Sequence, residues 1–65
     1  MNIEYFRKRA GMTQQELASR VNVTQGCISN WEAGNWAPLK KYFAPLAAAL
    51  GCSIDDLTRD LSAGE

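Results

Sequence analysis

Apolar positions recur along this chain at helical rather than alternating spacing. Ile3, Phe6 and Ala10 share one face; Leu17, Ala18 and Val21 share a second; Ile28 and Trp31 form a third. Phe43, Leu46, Ala47 and Leu50 form a fourth, and Ile54, Leu57 and Leu61 a fifth. Spacings of three and four residues place such side chains on one side of a helix. Between the stripes stand residues that start and stop helices. Thr13, Thr24 and Ser53 are of the N-cap type, while Gly11, Asn22, Gly34 and Gly51 suit the left-handed residue that ends a helix. Thr13 with Glu16 three places on is a capping box, in which hydroxyl and carboxylate satisfy each other's backbone amides. The pattern predicts an all-α domain of five short helices: 3–10, a second opened by Thr13, a third running from Thr24 to Gly34, a fourth within 39–50, and a fifth over 54–61. Residues 62–65 are expected to fray. Pro45 lies inside the fourth segment, so that helix either kinks there or begins near it.

The second and third helices are joined by a turn of very few residues. Ala18 is small, which lets the third helix approach closely. With Ile28 and Trp31 inward, Gln25, Gly26, Ser29 and Asn30 fall on or near the outer face. These are short, uncharged and rich in hydrogen-bonding groups. Gln and Asn amides pair in bidentate fashion with adenine in the major groove. Any one of them could equally be polar because it meets water. As a set, after a cap, a turn and a second cap, they point to a DNA-reading helix.

Here the chain resembles the phage repressor and Cro family of helix-turn-helix domains, also called XRE-like. The matching residues are Arg7, Gly11-Met12-Thr13-Gln14, Glu16-Leu17-Ala18, Val21, Thr24-Gln25, Ile28-Ser29, Trp31-Glu32, Gly34, Pro38, and Ala49-Leu50-Gly51 followed by Ser53. They span nearly the whole chain. The resemblance implies a five-helix lambda-repressor-like fold with the helix-turn-helix in helices 2 and 3. It implies a transcriptional regulator, a repressor that binds double-stranded DNA as a homodimer on a palindromic operator. Gln25, Gly26, Ser29 and Asn30 would meet bases. Gln14, Thr24, Asn35, Lys40 and Lys41 would meet phosphates, although Pro45 departs from the family pattern and leaves the placing of both lysines open. Arg7 and Glu32 would form a salt bridge tying helix 1 to helix 3. The family's dimer surface would fall on Trp36, Tyr42, Leu57 and Leu61. For the two aromatics, packing beneath the loop is an equal alternative.

Composition narrows the remaining classes. Sixty-five residues make one domain, which buries only about 60% of its unfolded surface. Seven basic and seven acidic residues balance to zero net charge, which by itself disfavours nucleic acid. The distribution is uneven, however. Residues 1–41 carry six basic against three acidic side chains, and residues 42–65 carry one against four. Cys27 and Cys52 belong to no metal-ligand spacing and there is no histidine, so neither a metal site nor a cofactor is expected. No paired carboxylates or phosphate-cradling glycine loop indicate an enzyme. With no apolar run of about 20 residues and no signal-peptide apolar region, a cytoplasmic protein without membrane contact is expected. A second reading stays open: a protein-interaction module on the same fold, suggested by the zero net charge and by Gly26 in the reading helix.

Overall fold

The computed structural model describes residues 1–59. Helices run α1 Ile3–Arg9, α2 Gln14–Val21, α3 Gln25–Ala33, α4 Phe43–Leu50 and α5 Ile54–Thr58, with a 3-10 turn over Lys40–Tyr42. No strand occurs among the described residues, and the domain is the all-α, five-helix arrangement anticipated above.

The boundaries follow local chemistry. The Thr13 hydroxyl accepts from the Glu16 amide (3.0 Å) and the Thr13 amide donates to Glu16 Oε1 (2.8 Å), completing the capping box. The bond from the Thr13 amide to the ionised form holds the Glu16 carboxyl below its ordinary pKa. Thr24 and Ser53 accept in the same way from the Cys27 and Asp56 amides. Asn22 ends α2 in the left-handed conformation at φ 62°. An Asn tolerates this at modest cost because its short polar side chain bonds locally.

The core comprises Ile3, Leu17, Ala18, Val21, Ile28, Trp31, Leu46, Ala47, Leu50 and Leu57. Helix α2 packs chiefly on α3 and α4, and α1 lies across α3 and α4. The chain start is stitched to α5: the Asn2 amide donates to Leu57 O (2.9 Å), and its side chain donates to the carbonyls of Asp56 and Arg59.

Three expectations need correction, and one alternative is decided. Ala10 is the exposed cap of α1 rather than part of its buried face. Ile54 is 43% exposed, because it opens α5 at the edge of the core and only Leu57 reaches inward. The fifth helix stops at Thr58, where Arg59 turns extended; Leu61 and residues 62–65 lie outside the described residues. Of the two alternatives at Pro45, a helix that begins near it is the one observed. The helix begins two residues earlier at Phe43, led in by the 3-10 turn, and Pro45 occupies its first turn. Amides there have no intrahelical acceptor, so proline's missing N–H costs nothing.

Candidate nucleic-acid interface

The site is built on α3. Ile28 is fully buried and Trp31 nearly so, which fixes the helix's rotation about its axis. Glu32 follows on the inward side. Its Oε2 accepts from Arg7 Nε at 2.6 Å and its Oε1 from Arg7 Nη2 at 3.1 Å. The Arg7 side chain is 10% exposed and that of Glu32 5%. The third guanidinium nitrogen donates to Met12 O at 2.9 Å, which anchors the start of α2 as well. Hydrogen bonding to Glu32 pushes the Arg7 guanidinium still higher than its ordinary value, against the opposing effect of burial. The anticipated tie between α1 and α3 is present.

The ion pair extends outward as a chain of amides. Gln14 Nε2 donates to Glu32 Oε1 (2.9 Å), and Gln25 Nε2 donates to Gln14 Oε1 (3.4 Å). Gln14, expected at a phosphate, is therefore half-buried with one amide hydrogen committed to Glu32. Gln25 is exposed at the first turn of α3 with its carbonyl oxygen unengaged.

The outer face of α3 carries Gly26, Ser29 and Ala33, all exposed. Ala33 did not figure in the sequence reading. Its spacing of seven from Gly26 was the available signal, but an alanine gives no chemical cue. A Cβ added at Gly26 would meet only the Thr24 hydroxyl at 3.8 Å. Nothing in the protein itself therefore requires glycine there. The Gly26→Ala protein should melt a few degrees higher, gaining about 0.5–1 kcal/mol in helix propensity. Thermal unfolding by circular dichroism checks this. A lower melting temperature would show that Gly26 carries a backbone strain not apparent in the fold.

Asn30 is half-buried, and both ends of its amide are engaged. Nδ2 donates to the Gly26 carbonyl (2.8 Å) and Oδ1 accepts from Asn35 Nδ2 (2.7 Å). Thr24 and Asn35 are exposed at the two ends of α3, and Lys40 and Lys41 are exposed on the 3-10 turn beyond it. Lys41 Nζ lies 5.2 Å from the centre of the Tyr42 ring.

Of the residues expected at a dimer surface, Trp36 is 54% exposed. Tyr42 is half-buried, its ring 5.4 Å from that of Trp31. Leu57 is fully buried among the core residues of its own domain. It is a core residue and not a surface one, because a helix of five residues has a single side chain to spend on the core. Leu61 lies outside the described residues. Cys27 and Cys52 are free and half-buried, and burial pushes the Cys52 thiol above its ordinary value. No group of residues that could hold a metal ion occurs among those described. No helix there is long and apolar enough to cross a membrane.

Two helices fixed by a left-handed Asn turn, the second presenting a short polar face to solvent, define a helix-turn-helix domain. Comparison with known proteins agrees: a helix-turn-helix family profile matches residues 3–57. The chain belongs to that family, in its repressor and Cro-like (XRE) branch, whose members are DNA-binding transcription regulators. An uncharacterised regulator of this type from Methanothermobacter thermautotrophicus is 43% identical over 49 residues, covering 75% of this chain and 71% of its own. The competence pilus inhibition repressor of Acinetobacter baylyi is 36% identical over 55 residues, 85% of this chain and 50% of its own. Multiprotein-bridging factor 1 of Candida albicans is 36% identical over 52 residues, 80% of this chain and 34% of its own. The chain thus spans half of the Acinetobacter protein and about a third of the Candida one. No solved structure matches it.

Proposed function

We propose that this chain is a sequence-specific repressor that occupies a palindromic operator as a homodimer in the cytoplasm, with α3 in the major groove. One observation carries the reading. The only carboxylate of α3, Glu32, is turned inward and neutralised by Arg7, so the outward face offers amide, hydroxyl and small residues with nothing to repel phosphates. Gln25 and Ser29 then read bases across the close approach that Gly26 permits. Thr24, Asn35, Lys40 and Lys41 hold the flanking phosphates, and Gln14 does so through its second amide hydrogen and the free backbone donors of the first turn of α2. The family is not an enzyme class, and the reading calls for no metal or cofactor.

The test is selection from a random duplex pool, followed by gel shifts at two salt concentrations. Affinity should fall steeply with salt as phosphate contacts release counterions. Gln25→Ala should flatten the preference at one operator position at a cost of about 1–3 kcal/mol. A Gln25→Ala protein that keeps the full preference profile would show the reading face to be misassigned. A second reading, a protein-interaction module, is favoured by the exposure of Trp36 (54%) and Leu39 (65%). Enrichment of no duplex sequence would favour it.

A further inference from the structure

The outer side of α3 carries two amides that look alike in sequence but are used differently in the fold. Gln25 is exposed, and its carbonyl oxygen is unengaged. Asn30 is half-buried and engaged at both ends. Its orientation is not arbitrary. The Gly26 carbonyl can only accept, so the nitrogen of the Asn30 amide must face it and the oxygen must face away. That oxygen then receives Asn35 Nδ2 at 2.7 Å. The backbone repeats the link, since the Asn35 amide donates to the Asn30 carbonyl at 3.0 Å. Asn35 follows Gly34, which leaves α3 in the left-handed conformation at φ 81°. Asn35 is thus held twice by the same residue at the point where the chain departs from the reading helix.

We propose that Asn30 is a positioning residue rather than a base reader. Its folded-back amide fixes the Asn35 side chain at the end of α3, and Asn35 presents its second amide hydrogen to a DNA phosphate. Bidentate recognition of adenine needs the oxygen and nitrogen edge of one amide free and aimed outward. Asn30 is half-buried with both ends of its amide tied within the protein, so swinging that edge outward to a base breaks both bonds. Asn35 needs to give up nothing, because each amide nitrogen carries two hydrogens and one remains. Preordering a phosphate-binding side chain adds affinity by removing the entropy of fixing it on DNA. A phosphate contact carries no base information, so the pair sets register and strength of binding, not sequence.

This inference rests on the DNA-binding function proposed above, and the experiment separates the two. Random-pool selection and binding titrations are run on the unaltered chain, Asn30→Ala, Asn35→Ala, the double variant and Gln25→Ala. Asn35→Ala should lose about tenfold or more in affinity, as expected for one hydrogen bond to a charged group, and Asn30→Ala a smaller part of that, since Asn35 remains but is no longer preordered. The loss should be uniform across sequences, with the preference profile unchanged. The double variant should bind no worse than Asn35→Ala, a coupling that general weakening of the fold does not produce. In the free protein, Asn30→Ala should also move the Asn35 side-chain amide resonances in a nitrogen-edited NMR spectrum. A flattened operator position in Asn30→Ala, or additive losses in the double variant, would overturn the proposal. Failure of the unaltered chain to select any duplex would overturn the DNA-binding function itself, and with it the role given to Asn35.

Discussion

Glu32→Ala will remove much of this domain's stability, about 3 kcal/mol or more, because it strands a buried guanidinium. The side chains of Arg7 and Glu32 are 10% and 5% exposed, too little for water to replace the lost partner. Arg7 would keep only its bond to the Met12 carbonyl, and Gln14 would lose its acceptor. A domain of this size holds only about 3–10 kcal/mol in all, so the variant should be partly unfolded at ambient temperature. Arg7→Met should do comparable harm by leaving Glu32 buried with Gln14 alone. The double variant Arg7→Met/Glu32→Leu should recover much of the loss, since no charge is left unpaired. Denaturant titrations followed by fluorescence of the two tryptophans read this out, and the cycle closed with the Glu32→Leu single variant should give an interaction energy above about 0.5 kcal/mol. Strict additivity of the two single losses would remove the ion pair from any structural role. The apolar double variant has a second use. It keeps the fold but cuts the chain of amides from Glu32 through Gln14 to Gln25, so stability should return while DNA affinity does not.

What the sequence could foretell divides along physical lines. Capping is local: Thr13, Thr24 and Ser53 each bond an amide three residues on, so short-range pattern suffices to place the starts of α2, α3 and α5. The buried stripe of α2 was legible because three apolar positions set its phase, and that of α3 because Ile28 and Trp31 lie well inside a nine-residue helix. Leu57 and Ile54 were not, since a helix of five residues carries too few apolar positions for periodicity to say which one the core takes. Pro45 was ambiguous because a 3-10 turn leads into its helix, and that turn carries no sequence signature of its own. On the reading face, the inward turn of Glu32 followed from its partner Arg7, which the family resemblance supplied. The fate of Asn30 could not be read. An outward amide has the same sequence signature whether it is free or spent on its own helix, and only the positions of Gly26 O and Asn35 distinguish the two.

A full palindrome should bind this protein at least about a hundredfold more tightly than a single half-site, although the free chain stays monomeric at micromolar concentration. Half-sites read by such helices lie ~34–36 Å apart, and the longest dimension of the domain is 33 Å. Two copies on one face of the duplex should therefore come close to contact. The surface available for that contact is small. Leu57 belongs to the core, leaving Trp36, Leu39 and Met1 as large exposed apolar side chains near the end of α3, with Tyr42 half-covered. A contact made through so few side chains is expected to fall short of the ~1,200 Å² of a standard stable complex, so the free chain should stay monomeric. On DNA the second copy should no longer pay the full cost of association, and the same weak contact should then suffice. Trp36→Ala should erase most of the advantage of the palindrome while leaving half-site affinity and folding intact. Inserting about five base pairs between half-sites, which turns them to opposite faces of the duplex, should do the same with the unaltered protein. Sedimentation of the free chain at rising concentration, set beside titrations of full, half and spaced operators, measures each quantity. Equal affinity for one half-site and for the palindrome would rule out the cooperative pair.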